Sequence, residues 1–177
     1  MHVELTTRRL RLRPLGSGDQ DAVHAYASDP QTARYLLRLP HKSPEETAAF
    51  LAGAQAEWSK ERPAFYEFAV ELEGRLIGHV SLYPEPDGRS GELGWVLDRA
   101  YWGRGFATEA AGALLRFAAG ALGLRRLTAH RDAENLASAR VMEKLGLRPA
   151  EEGERLYPDG RGRARELLYT YEARDDG

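Results

Sequence analysis

The sequence predicts a mixed α+β sheet with helices on both faces. Three observations carry this. The chain has 177 residues, of which 42% are apolar and 29% charged, which suits one domain (residues 1–177) with a sizeable core. Stretches with a period of two and stretches with a period near 3.6 succeed one another in the order β-αα-β-β-β-α-β-α-β-β. Gly, Pro and Asp punctuation separates them, with no internal repeat, linker or low-complexity segment.

Leu10-Arg11-Leu12-Arg13-Pro14-Leu15 alternates apolar and basic residues, a strand pattern stopped by Pro14 and Gly16. Ser17-Gly18-Asp19-Gln20 reads as a capping box, opening a helix from Asp19 to Ser28. Asp29-Pro30 interrupts it, and a helical turn follows through Tyr35. Ser43-Pro44-Glu45-Glu46 places Ser at the N-cap, Pro at the first helical position and Glu at the third, so a second helix runs to Lys60. Phe50, Leu51, Ala54 and Trp58 mark its apolar face.

Phe65–Leu72 and Arg75–Tyr83 alternate about a Glu73-Gly74 turn and predict a hairpin. Pro84–Gly91 is a loop by composition, and Glu92–Leu97 a further strand. A helix is expected over Thr108–Leu122, stopped by Gly123. A short strand over Arg126–His130, a helix over Asn135–Leu145 closed by Gly146, and strands near Arg148–Glu154 and Ala164–Ala173 complete the order. Pro158-Asp159-Gly160 turns between the last two, and Arg174–Gly177 is expected to fray.

The composition excludes several classes. The 25 basic against 27 acidic residues give a net charge of −2, so nucleic acid is not the expected partner. No apolar run approaches the roughly 18 residues of a membrane span. The N-terminus lacks the pattern of a secretory signal, and a cytoplasmic location is expected. Without cysteine there is no disulfide, thiolate metal site or thiol nucleophile. The five His residues show no metal-ligand spacing, so no metal site is expected.

The segment with chemical content is Trp102-Gly103-Arg104-Gly105-Phe106-Ala107-Thr108, between a strand and a long helix. Two glycines one residue apart let backbone approach a ligand closely. The amides at a helix N-terminus, with the helix dipole behind them, favour an anion, and Arg104 adds a cation. The segment reads as a phosphate or pyrophosphate site; a tight turn that merely packs strand on helix is the alternative. It is not a P-loop, for no Gly-Lys-Ser/Thr follows. It is not the dinucleotide fingerprint, because the third glycine position is Thr108.

Trp102–Ala107 resembles the acyl-CoA-binding motif Gln/Arg-x-x-Gly-x-Gly/Ala of the GCN5-related N-acetyltransferase (GNAT) superfamily. Thr7–Leu15 with Asp21-Ala22, Ile77-Gly78, Glu92–Trp95, Tyr101–Ala110 and Asn135–Leu147 are similar, in order, to the branch of ribosomal-protein-alanine (RimJ/RimL-type) acetyltransferases. The sequence departs from the family at Trp102, where Gln or Arg is usual, and at Met142, where many members carry a Tyr that protonates the leaving thiolate. Met has no proton to donate.

The resemblance implies the GNAT fold, with a V-shaped opening between the fourth and fifth strands of the predicted order, and acetyl transfer from acetyl-CoA to an amine. The acceptor would be a protein N-terminus or a small molecule, and a homodimer is possible. It places the pyrophosphate on Trp102, Gly103, Arg104, Gly105, Phe106, Ala107 and Thr108. The pantetheine arm would pair with Val96 and Leu97 beside Trp95, with Gly94 permitting a bulge that opens the gap. Asn135, Ser138 and Lys144 complete the cofactor contacts. Glu92 is the candidate general base, or a solvated or salt-bridged strand carboxylate. Ser138 is the candidate to hydrogen-bond the thiolate, or a helix-packing Ser; Asn135 caps its helix, shares Ser138's helix face, or does both.

Other residues carry two readings each. His79 and His130 are structural strand residues or cleft groups. Phe50 and Trp58 are core or acceptor wall. Arg161, Arg163 and Arg165 are a solvated loop or contacts to an acidic acceptor or a CoA phosphate. Arg34–Ser43, Pro84–Gly91 and Leu156–Ala164 are the segments expected to border the acceptor. An acyl-CoA-binding module without transfer, and an unrelated nucleotide binder, are the competing functions.

Overall fold

The computed structural model describes residues 2–173; the expected fraying of residues 174–177 lies outside them. One eight-stranded sheet organises these residues, in the spatial order β1-β2-β3-β4-β5-β6-β8-β7. The strands are β1 (Leu5–Thr6), β2 (Leu10–Pro14), β3 (Tyr66–Leu72), β4 (Arg75–Pro84), β5 (Ser90–Leu97), β6 (Arg126–Asp132), β7 (Arg148–Tyr157) and β8 (Gly162–Glu172). Neighbours are antiparallel except β5 and β6. The helices are α1 (Gln20–Ala27), α2 (Pro44–Trp58), α3 (Phe106–Arg116) and α4 (Leu136–Lys144). The expected α+β order therefore holds, with the short β1 added at the edge.

Two apolar clusters lie on opposite faces of the sheet. The larger joins α3 and α4 to Leu12, Phe68, Val80, Leu82, Leu93 and Leu127. The smaller joins α1 and α2 to Ala69 and Val96 through Val23, Tyr26 and Leu51. The central strands are covered on both sides, so the alternation expected of the hairpin does not translate into alternating burial. Every residue from Tyr66 to Glu71 is buried, as are Ile77 to Leu82. β2, nearer the edge, does alternate: Leu10 and Leu12 are buried while Arg11 is exposed.

The Ser43 cap forms as expected, its side chain accepting from the Glu46 amide at 3.2 Å. The Ser17 cap does not. Gly16 precedes a 3₁₀ turn over Ser17–Asp19, and the Asp19 carboxylate reaches back to accept from the Gly16 amide at 3.1 Å. Arg13 holds the same carboxylate at 2.7 Å. The Asp19 carboxylate, with backbone and a guanidinium to satisfy, outcompetes the Ser hydroxyl. The third helix starts at Phe106, two residues before the expected Thr108, because Gly105 itself serves as N-cap.

Candidate active site

β5 and β6 pair only at Ser90↔Arg126, Gly91↔Leu127 and Glu92↔Thr128. Beyond Glu92 the two strands separate, and this is the opening expected between the fourth and fifth predicted strands. No bulge at Gly94 produces it. The register of β5 against β4 runs unbroken from Gly91 to Leu97; the split follows from the end of the parallel pairing.

The antiparallel ladder decides which backbone groups face the gap. The Asp98 amide donates to the Ile77 carbonyl at 2.9 Å. In the observed register, the residues bonded to β4 are then Val96, Gly94 and Glu92. The backbone groups of Trp95 and Leu97 point the other way, into the gap. Val96, expected to pair with an extended ligand, is turned to His79 instead. The Leu97 carbonyl is already taken, accepting from the Trp102 indole at 2.9 Å.

At the wide end of the gap lies the glycine loop. Gly103 and Gly105 adopt φ of 75° and 77°, a conformation that a side chain disfavours. Gly105 caps α3 without a side-chain acceptor. The first bond in the helix runs from the Glu109 amide to the Gly105 carbonyl, at 3.1 Å. The amides of Phe106, Ala107 and Thr108 thus have no partner within the helix, and they share the positive end of its dipole. Arg104 is exposed, its guanidinium 5.2 Å from the Tyr101 ring centroid and 5.4 Å from that of Phe106. Trp102, at the position where the motif carries Gln or Arg, is 51% exposed. The helix-start amides that would hold a pyrophosphate are therefore present, while the Arg104 guanidinium also donates to the Ala100 carbonyl at 3.3 Å.

A brace came unannounced by sequence reasoning. Arg9, in the turn between β1 and β2, donates from Nε to Glu109 at 2.7 Å and from Nη1 to the Arg104 carbonyl at 3.0 Å. It also stacks on Phe106, 4.3 Å from the ring centroid. Thr7 adds a 2.6 Å hydrogen bond to the same carboxylate. Glu109 sits in the first turn of α3, where its charge opposes an incoming anion, and Arg9 neutralises it. The only sequence signal was that Thr7-Arg8-Arg9 belongs to the resemblance. Next to the loop, a cavity of about 800 Å³ opens between the end of α1 and Asp98–Trp102, lined in part by Tyr26, Asp29, Gln31 and Arg99.

α4 begins at the same end of the sheet. Asn135 caps it by accepting from the Ser138 amide at 3.2 Å, and its own amide donates to Ser138 Oγ at 3.0 Å. The Ser138 oxygen is an acceptor in that pair, so its proton stays uncommitted. Met142 is buried in the core, 1% exposed. Lys144 is at the far end of α4, about 13 Å from Asn135 at the usual rise per residue. It does not join the loop.

On the α1/α2 face, side chains of one row of the sheet converge. Glu67 on β3 is opposite Ser81 on β4, and Ser81 is opposite Gly94. Tyr83 on β4 is opposite Glu92, which in turn is opposite Thr128. Glu67 is 1% exposed. It accepts from Ser81 Oγ at 2.5 Å and from the Tyr83 hydroxyl at 2.8 Å. Burial pushes its carboxyl up to about 7, against those hydrogen bonds. Glu92 is half-buried and makes no hydrogen bond or ion pair, so the salt-bridged reading of it falls away. Sequence reasoning missed Glu67 and Tyr83, because nothing local marks a buried strand carboxylate.

Of the three segments expected to border the acceptor, Arg34–Ser43 and Leu156–Ala164 meet, through Arg161. Arg38 Nη1 donates to the Tyr83 hydroxyl at 3.2 Å. Arg161 is exposed in its turn but committed to backbone. It donates to the carbonyls of Ala33, Arg34, Leu36 and Leu39 at 2.6–3.1 Å. Buried Arg155 holds the Tyr35 carbonyl at 2.7 Å. These two side chains tie the α1–α2 connection, which packs on β3 and β4, to the hairpin beyond the gap. Arg163 and Arg165 pair with Glu154 and Glu152 at the surface.

The remaining candidates are structural. His79 is buried between Tyr26, which it meets at 2.7 Å, and Phe50. Burial drives its imidazole down to about 4, so it stays neutral. His130 is spent on Glu166 at 2.9 Å. Trp58 is core, its indole donating to the Glu67 carbonyl at 2.9 Å. Among the described residues no cluster could hold a metal ion, and no helix is long and apolar enough to cross a membrane.

Comparison with known proteins agrees with this geometry. The profile of the acetyltransferase (GNAT) domain family matches residues 9–148. The Bacillus subtilis protein YnaD, an uncharacterized N-acetyltransferase, is 32% identical over 148 residues, 84% of this chain and 83% of its own. The crystal structure of a GNAT-family acetyltransferase from Bacillus anthracis superposes with a TM-score of 0.82 at 29% identity, covering 96% of this chain and 98% of that one. RimL, a ribosomal L7/L12 α-N-protein acetyltransferase solved with coenzyme A, shares the fold with a TM-score of 0.81 at 18% identity, covering 96% and 98%. This chain belongs to the GNAT acetyltransferase domain family and is an acetyltransferase.

Proposed function

We propose that the protein transfers the acetyl group of acetyl-CoA to a primary amine by direct attack within a ternary complex. The observation that carries this reading is the placement of the split between β5 and β6. It opens beside a loop whose helix amides are uncommitted, and half-buried Glu92 and Tyr83 lie on its other side with buried Glu67 behind them. The loop from Trp102 to Thr108 holds the pyrophosphate, mainly through the amides of Phe106, Ala107 and Thr108. The backbone of Trp95 and the Leu97 amide take the pantetheine as an added strand. Asn135 orients Ser138, whose free proton serves the leaving thiolate.

The amine nitrogen attacks the thioester carbonyl, the C–S bond breaks, and the ammonium proton is removed on the Glu92 side. A chain without cysteine has no thiol to carry the acetyl group, which favours direct attack. RimL is a ribosomal L7/L12 α-N-protein acetyltransferase, and the shared fold makes peptide N-termini the first acceptors to try, beside small amines. A cytoplasmic site of action is part of this reading; among the described residues no helix is long and apolar enough to cross a membrane.

The test is an acetylation assay that reads free thiol with peptides beginning Ala, Ser and Met and with a panel of small amines. Thiol release that depends on one of these amines is expected. Binding of acetyl-CoA with no transfer to any of them would favour a regulatory acyl-CoA-binding module instead.

A further inference from the structure

Resting on the transferase reading, we propose that the ammonium proton leaves through Tyr83 to the buried Glu67. The Tyr83 hydroxyl sits between the Glu67 carboxylate, 2.8 Å away, and Arg38 Nη1, 3.2 Å away. Arg38 can only donate. The Tyr83 proton must therefore point at Glu67, and its oxygen keeps one lone pair for a further donor. Glu92 stands opposite Tyr83 in register on the neighbouring strand, with its side chain on the same face. An ammonium drawn to the Glu92 carboxylate can offer a proton to that lone pair.

The transfer balances without any other reactant. The ammonium N–H bond breaks and a bond to the Tyr83 oxygen forms. The Tyr83 O–H bond breaks and its proton passes to Glu67. The amine is left neutral with its electron pair free, and Glu67 becomes a neutral carboxylic acid. Tyr83 ends as it began, with its hydroxyl reversed. Glu67 remains hydrogen-bonded to Ser81 throughout. It touches no substrate and is a positioning and proton-accepting group acting through Tyr83.

The surroundings leave Glu67 as the acceptor of that proton. Arg13 on β2 is committed to Asp19 and Glu71. Glu57 on α2 is held by Lys60 and by the Ala64 amide. His79 on β4 and Tyr26 on α1 are occupied with each other. Arg38 from the α1–α2 connection and Glu92 on β5 are the charges that face the relay. A carboxyl that titrates near 7 lies close to an α-amine, at about 7.7–8.0, and more than three units below a Lys amine, at about 10.4. Proton transfer from an α-ammonium is uphill by about tenfold, and from a Lys ammonium by more than a thousandfold.

The experiment compares wild type, Tyr83→Phe and Glu67→Gln in thiol-release kinetics from pH 6 to 9.5, with an Ala-initiated peptide and with a small alkylamine. Wild type should show an ionisation near 7 in kcat. Both variants should lose that ionisation, fall at least tenfold in kcat at pH 7, recover toward wild type at pH 9.5 and keep the KM for acetyl-CoA. Tyr83→Phe keeps the half-buried ring and guards against a folding defect at Glu67. Wild-type pH profiles in both variants overturn the relay while leaving the transferase reading intact. No transfer by wild type to any amine overturns both.

Discussion

Under the proposed function, the glycine loop and the α1/α2 face would handle the two halves of one reaction with different materials. The loop is made of consecutive residues, and its working groups are backbone amides presented by Gly105 at the start of α3. The opposite face is made of side chains from β3, β4, β5 and the α1–α2 connection: Glu67, Tyr83, Glu92 and Arg38. The loop is exposed, and Arg9 neutralises the Glu109 carboxylate in the helix turn behind it. The face holds a carboxyl and an imidazole with almost no access to water. A backbone site tolerates sequence drift but not a change of φ. A side-chain site tolerates neither loss of a hydroxyl nor a change in burial. Substitutions in the two regions should therefore fail in different ways.

The largest expected effect tests the buried face. Glu67 titrates higher in the folded state, about 7, than its ordinary 4.5. As pH rises through that window the unfolded chain releases the proton first, so this group makes stability fall by about 3 kcal/mol. His79 titrates lower, about 4 against 6.5. Over almost the same window the unfolded chain holds the extra proton, so this group makes stability rise with pH by about 3 kcal/mol. The two offset each other. Denaturant melts at pH 4.5 and 7 should show Glu67→Gln gaining stability with pH relative to wild type, and His79→Gln losing it. Parallel profiles for all three proteins would show that neither group is buried as described.

Next in size is Glu92→Gln, which removes the carboxylate at the mouth of the gap. Its kcat at pH 7 should fall about a hundredfold, with the KM for acetyl-CoA unchanged. An unaltered kcat would return Glu92 to the role of an ordinary strand residue. Gly105→Val tests the loop. A branched side chain at φ 77° costs about 2 kcal/mol, and shifted amides should weaken acetyl-CoA binding roughly thirtyfold. Here kcat at saturation should hold. Smallest is Arg161→Ala, which frees the carbonyls of residues 33–39. A loss of about 1–2 kcal/mol and a raised KM for the amine are expected, with acetyl-CoA affinity preserved.

The same contrast explains what the sequence disclosed. The loop was legible because glycines, helix start and Arg104 lie within seven residues, and local geometry does the rest. The split was legible only through resemblance, and its cause was misplaced: Gly94 stays in register and the strands part where the parallel pairing ends. Val96 was misassigned because a strand's pattern does not say which edge each amide faces. That depends on the Asp98–Ile77 bond. Glu67 and Tyr83 were invisible because their meaning comes from register across three strands. Arg161 looked solvated because its partners are carbonyls more than 120 residues away.

Calorimetric titration of acetyl-CoA into wild type, Gly105→Val and Glu92→Gln tests the central division of labour most directly. Saturable one-site binding is expected for wild type, unchanged for Glu92→Gln and weakened roughly thirtyfold for Gly105→Val. No binding by wild type, or an equal loss in both variants, would contradict a cofactor site built on the loop and a separate site for the amine.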